Sequence, residues 1–283
     1  MNVPGFGEIS ERLRRSTVQI RDSRRARGIG SGVIFNAGGT ILTNAHVARA
    51  TDAHVELWDG REFAARVTAH DPDRDLAFLE APATGLPAAA FGDSSRVRVG
   101  ELVIAIGNPL GFAGALTTGI VHSIGPLPGL GRRQWVQADV RLAPGNSGGP
   151  LADAEGRVIG INTMIAGGLA LAVPSNTVAE FHRRGPRKAR LGVVLQPVPV
   201  RFDGQDRVGL LLVQVLPQSA AAACSLMTGD ILLGADGRYF AGPEDLADAL
   251  DRAGAAIRLM FLRGDRARLR ETTAALSKAA EAA

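Results

Sequence analysis

From Thr17 to Val173, apolar residues recur at alternate positions in short runs, each stopped by glycine, proline, asparagine or aspartate. A period of two sends successive side chains to opposite faces, the mark of a strand. Such runs are Gly30–Phe35, Thr40–Thr43, His54–Trp58, Arg61–Ala69, Leu76–Leu79, Leu102–Ile106, Leu116–Ile124, Trp135–Ala138, Arg157–Ile165 and Leu169–Val173. Asn36-Ala37-Gly38-Gly39 and Asp59-Gly60 supply turns, and Asp-Gly is a strong hairpin signal. About a dozen short strands at this spacing predict a barrel or sandwich, with enough of them for two barrels. Helical spacing occurs over 5–15, where Ile9 and Leu13 lie four apart, and over Ser175–Arg184 after Pro174. The basic run from Arg183 to Arg190 breaks the pattern and reads as a linker. A second unit follows, with strands at Leu191–Leu195, Gly209–Val215, Asp230–Ala235 and Ile257–Leu262 and a helix over Pro243–Arg252. The expected division is a helical segment 1–15, a large β domain 16–184, a linker 185–190, a small α+β domain 191–271 and an alanine-rich tail 272–283.

Composition changes this picture little. The chain has 283 residues, 46% hydrophobic and 21% charged, which suits globular domains and leaves room for two. The formal charge is only +4, the basic balance reflects an arginine excess, and arginines cluster at Arg12–Arg27 and Arg183–Arg190. Aromatic residues are not interleaved with them, so they read as solvated segments and no nucleic-acid partner is expected. Cys224 is the single cysteine, so no intramolecular disulfide staples the fold. Neither metal-ligand spacing nor a nucleotide-binding loop is present, and no cofactor is expected. No apolar leader or membrane span is visible, which predicts a cytoplasmic location, or an exported one if a leader precedes this chain.

The chemistry centres on Ala143-Pro144-Gly145-Asn146-Ser147-Gly148-Gly149-Pro150. Glycines that dense allow a sharp turn that exposes a serine hydroxyl and aims the Gly145 and Ser147 amides at one point, as an oxyanion hole requires. A serine is a poor nucleophile without a base, and the base needs an orienting acid. Of five histidines, His46 sits among small residues at a strand end, where an imidazole is accessible. His54, His70, His122 and His182 read as surface or core residues. Asp75 directly precedes the apolar run Leu76–Leu79 and is the acid drawn inward, whereas Asp71 and Asp73 read as turn formers. The order His46, Asp75, Ser147 excludes an α/β-hydrolase, whose acid and histidine follow the serine.

These residues stand in a set of strings that resembles the HtrA (DegP-like) serine proteases: Gly30-Ser31-Gly32-Val33-Ile34, Thr43-Asn44-Ala45-His46-Val47, Asp75-Leu76-Ala77, Ala105-Ile106-Gly107-Asn108-Pro109, Thr118-Gly119-Ile120-Val121, Gly145 to Pro150, Gly160-Ile161-Asn162-Thr163 and Val173-Pro174-Ser175-Asn176. The resemblance covers roughly 6–270 and implies a mainly β fold, a chymotrypsin/trypsin-like double β-barrel followed by a small α+β PDZ domain. It implies Ser147 as nucleophile, His46 as general base, Asp75 as its orienter, and a specificity pocket at Leu142, Ile165 and Ala166. In the second unit, Leu191, Gly192 and Val193 match a carboxylate-binding loop, with Leu246 and Leu250 walling a groove for peptide C-termini. The implied activity is ATP-independent cleavage of unfolded or damaged proteins by a homotrimer; the alternative is a latent protease acting as a peptide-binding scaffold. Ala143, Val140-Arg141 and Cys224-Ser225 depart from the family pattern.

Overall fold

The computed structural model describes residues 5–22, 30–109, 114–127, 133–185, 191–242 and 244–276. Two compact units divide the chain, one ending near Gly185 and the other starting near Leu191.

The first unit holds two closed barrels of six antiparallel strands. Barrel one contains β1 (Thr17–Asp22), β2 (Gly30–Ile34), β3 (Thr40–Thr43), β4 (Asp52–Glu56), β5 (Glu62–Asp71) and β6 (Leu76–Glu80). Barrel two contains β7 (Leu102–Gly107), β8 (Ala115–Gly125), β9 (Trp135–Ala138), β10 (Pro150–Asp153), β11 (Val158–Ala166) and β12 (Leu169–Pro174). Both follow one order, β1-β2-β3-β6-β5-β4 and β7-β8-β9-β12-β11-β10, closed by β1 on β4 and β7 on β10. Alternation explains their cores. Ile34, Ile41 and Leu79 point into barrel one, while their neighbours Val33, Leu42 and Phe78 point out, into a cluster shared with Ile104, Ile106 and Leu171 of barrel two. The strands are therefore buried on both faces where the barrels meet. A side chain on Gly32 would force the core to shift, because a Cβ there would lie 2.9 Å from both Ile20 and Ile41 inside barrel one. Helix α1 (Phe6–Arg15) buries Ile9 and Leu13 in the shared cluster, and α2 (Ser175–Arg184) adds Val178 and Phe181.

The second unit is an antiparallel sheet ordered β13 (Val193–Phe202), β14 (Gln205–Val215), β15 (Ile231–Ala235), β17 (Ala256–Arg263), β18 (Asp265–Ala275), with β16 (Arg238–Tyr239) on β15. Short α3 (Ala220–Ala223) and α4 (Glu244–Arg252) cover one face through Leu210, Leu212, Leu232 and Leu259, and Val200, Ile231, Leu233 and Leu262 pack on the other. The architecture is a chymotrypsin-like double barrel with a PDZ-like α+β domain.

Two sequence expectations need correction. The strand expected at Leu191–Leu195 starts at Val193 and runs on through Pro197 and Pro199 to Phe202. Proline is tolerated because β13 is a sheet edge, where an N–H can be missing on the open side. The tail expected from Thr272 is, as far as Ala275, the end of β18, with Ala274 and Leu276 in the core; 277–283 lie outside the described residues. Small alanines read as a tail in sequence but fit the tight face opposite Ile257. Of the expected linker, 186–190 also lie outside the described residues.

Candidate active site

Strands β3 and β6 are paired neighbours, with Thr43 opposite Ala77, so the loop leaving β3 and the turn entering β6 emerge at one end of barrel one. The first is a turn from Asn44, whose carbonyl accepts from Val47 N at 3.1 Å, and it carries His46. The second delivers Asp75 in a left-handed conformation (φ 53°), with its N–H on the Pro72 carbonyl at 3.3 Å. Arg74 is buried beside it and donates from N and Nη1 to Asp71 at 2.9 and 2.8 Å, so Asp71 both forms the turn and pairs with a buried charge. Asn44 Nδ2 then donates to the Asp75 carbonyl at 2.9 Å, tying the two loops together.

His46 Nδ1 lies 2.9 Å from each Asp75 carboxylate oxygen, and the His46 N–H donates to Oδ1 at 3.1 Å. Thr163 on β11 donates its hydroxyl to Oδ2 in a very short bond. Burial pushes the Asp75 carboxyl up, yet the hydrogen bonds from His46 and Thr163 outweigh it and hold the group below its ordinary value. Asp75 is thus an anion at neutral pH, fixing the imidazole with Nδ1 protonated and Nε2 free to take a proton.

Ser147 sits in the loop from β9 to β10. The Ala143 carbonyl accepts from Asn146 N at 3.0 Å across Pro144-Gly145, and Gly145 takes a φ of 107° that suits only glycine. Asn162 on β11 staples the far side: its Nδ2 donates to Pro150 O at 2.9 Å, its N–H to Gly149 O at 2.9 Å, and its carbonyl accepts from Gly148 N at 2.8 Å. Among the described residues, neither the Gly145 nor the Ser147 amide donates to any group of the chain. Ser147 Oγ donates to the Thr163 carbonyl at 2.8 Å and makes no hydrogen bond to His46. The structure therefore joins His46 to Asp75 directly, and brings Ser147 to the same residue, Thr163, that orients Asp75.

Other expected site residues are placed less simply. Leu142 packs against the interior of barrel two, Ala166 against the cluster between barrels, and Ile165 is 56% exposed. Adjacent residues on a strand face opposite ways, so Ile165 and Ala166 do not form one wall with Leu142. In the second unit, Gly192 has a φ of 77°, and a Cβ there would meet Ser219 Cβ at 2.2 Å; Leu191 is buried and Val193 half-buried. Leu246 and Leu250 are core residues at 3% and 9% exposure, not the wall of an open groove, because their face of α4 lies against the sheet. His70 braces the His46 turn, with Nε2 3.0 Å from the Ala45 carbonyl, and His182 packs on Phe35 and Phe78. Sequence reasoning missed Thr163 and Asn162. Their signal was available: two adjacent polar residues inside an apolar strand, which burial obliges to find partners.

Residues 30–161 match the model of the trypsin-like peptidase domain. A protein of Pseudomonas putida named as a probable periplasmic serine endoprotease, DegP-like, is 37% identical over 273 residues, covering 89% of this chain and 57% of that protein. A Marinomonas protein of the same name is 40% identical over 235 residues, covering 77% of this chain and 50% of that protein. The solved structure of the HtrA-type protease AlgW with a decapeptide superposes with a TM-score of 0.74 at 27% identity, covering 97% of this chain and 98% of that one. The chain belongs to the HtrA family of serine proteases. It spans about half the length of the curated relatives it matches. The expected cytoplasmic location is overturned, since these HtrA-family relatives are named periplasmic. A leader is cleaved on export, so a chain without one carries no evidence of compartment. Among the described residues, no helix is long and apolar enough to cross a membrane.

Proposed function

We propose that this chain is an ATP-independent serine endopeptidase of the HtrA type. Ser147 Oγ attacks the scissile carbonyl and passes its proton to His46 Nε2, while Asp75 stabilises the imidazolium. The amides of Gly145 and Ser147 receive the oxyanion. His46 then protonates the departing amine, and water, deprotonated by the same imidazole, releases the acyl group. The observation that carries this reading is the coincidence of a His46–Asp75 pair at 2.9 Å with two undonated amides in the serine loop. Ser147 Oγ has to turn from the Thr163 carbonyl to His46, exchanging one hydrogen bond of about 0.5–1.5 kcal/mol for another. So small a difference does not favour a permanently inactive scaffold.

The substrates of this reading are unfolded or damaged proteins in the periplasm, and the assembly is a homotrimer. Phe6, 48% exposed at the start of α1, offers that assembly an apolar contact. The second unit takes peptide C-termini, with the carboxylate at the Leu191-Gly192-Val193 loop and the peptide added as a strand beside β13. The test is digestion of unfolded casein together with labelling by a fluorophosphonate. Cleavage and labelling, both lost in Ser147→Ala, are expected; equal cleavage by that variant would overturn the assignment.

A further inference from the structure

Ser31 on β2 is completely buried. A buried strand position is ordinarily filled by an apolar side chain, since a hydroxyl out of water needs every partner it can find. Gly32 faces the interior of barrel one, so Ser31 faces the opposite way, toward barrel two. There its Oγ donates to the Gly145 carbonyl at 2.6 Å and accepts from Asn108 N at 2.9 Å. Its N–H donates to the Ser147 carbonyl at 2.8 Å, and its own carbonyl accepts from Thr43 Oγ1 at 2.7 Å.

The two loop carbonyls that Ser31 grips belong to Gly145 and Ser147, the residues whose amides are undonated. Within one residue the N–H and C=O directions are related only by φ and ψ. With the Gly145 carbonyl held, where its amide points depends only on its φ, 107°, and its ψ. Glycine has no side chain to enforce that conformation, so beyond the Asn146–Ala143 turn bond the restraint comes from outside the loop.

We propose that Ser31 is a positioning residue for the oxyanion hole, its hydroxyl holding the Gly145 carbonyl and so restraining the Gly145 backbone in the donating arrangement. The inference rests on the serine-protease reading above. Preorganised donors act only when aimed at the charge that develops in the transition state, so losing the lock lowers turnover more than substrate binding.

The experiment compares Ser31→Ala, Ser31→Cys and Ser94→Ala on a chromogenic peptide, with active sites counted by fluorophosphonate. Ser94 is a buried serine whose hydroxyl accepts from Asn176 N at 3.1 Å, and it controls for loss of a buried hydroxyl. Removing one oxyanion donor outright costs on the order of 10²–10³ in kcat, so a misaimed donor is expected to cost about 10–100-fold. Ser31→Ala should show that fall with KM within about twofold, and bind a peptide boronate more weakly by the same factor. Ser31→Cys, a weak donor of similar size, should fall between, and Ser94→Ala should keep its kcat. Equal melting shifts in Ser31→Ala and Ser94→Ala with unchanged kcat would reduce Ser31 to a structural residue and overturn the proposal. If Ser31→Ala does not fold, Ser31→Cys decides by the same readouts, unchanged kcat and boronate affinity counting against. A wild type that neither turns over nor binds boronate would overturn the protease reading itself.

Discussion

Asp75 shows how one residue can be committed twice, by its backbone and by its charge. A left-handed φ of 53° is uncommon outside glycine, but asparagine and aspartate tolerate it, so Asp75→Asn is expected to keep the turn. It loses the anion that holds the His46 tautomer. Turnover should fall on the order of 10⁴, the size of the corresponding change in the well-studied protease triad. The depressed carboxyl has a signed consequence for stability. A group whose folded pKa lies below its unfolded value of about 3.9 stabilises the fold above that pH and loses the contribution as pH falls through the folded value. Urea unfolding should therefore show an advantage of wild type over Asp75→Asn at pH 7 that narrows below about pH 4. Thr163 is the second commitment. Thr163→Val keeps the carbonyl that holds Ser147 Oγ but removes the hydroxyl on Asp75, and kcat should fall about tenfold, as for one hydrogen bond to a charged group.

Elements set the reach of these residues. Leu13 of α1 is 1% exposed in the cluster between the barrels, so Leu13→Ala should cost about 2–5 kcal/mol in chemical unfolding. At the edge of the second unit, β13 and β14 are joined by the two-residue loop Asp203-Gly204, with φ of 53° and 70°. Such a loop closes on a hydrogen-bonded pair, here Phe202 and Gln205, and bonded and open positions alternate from there. Val200, Val198 and Gln196 then face β14, while Pro199, Pro197, Leu195 and Val193 face the open edge. An added peptide finds N–H groups at Val193 and Leu195 and none at the two prolines. Calorimetric affinity for C-terminal peptides should stop rising beyond about four residues, and Pro197→Val with Pro199→Thr should extend it. Continued gain to eight residues in the wild type would refute this edge assignment.

At the scale of the whole molecule, the apolar clusters of the two units share no member among the described residues. Each unit thus has its own core, the condition for folding alone. A chain ending at Gly185 should melt cooperatively and keep its basal cleavage of casein, while losing capture of C-terminal peptides. Aggregation or loss of fluorophosphonate labelling in that chain would show that the barrels depend on the second unit.

Periodicity and turn chemistry sufficed for ten of the twelve barrel strands, for α1 and α2, and for the existence of a second unit, because these are local properties; β1 and β10 were not among the expected runs. The residues His46, Asp75 and Ser147 were legible as candidates, since each is a polar residue where the surrounding pattern calls for a loop end or a strand start. The partners that hold them were not. Thr163 and Ser31 act through contacts 88 and 114 residues away in the chain, which only closure of the two barrels on one another makes, and Asn162 acts 12 residues away through the pairing of β11 with β10. The same holds for Pro197 and Pro199, which read as strand breakers until the sheet order shows them on an edge. Ala274 and Leu276, read as a tail, become core once β18 pairs with β17. Sequence determined most of the segments that become strands and which residues are candidates for the chemistry. Tertiary structure decided which carbonyls and hydroxyls meet, because a hydrogen bond depends on position in space and leaves no period along the chain.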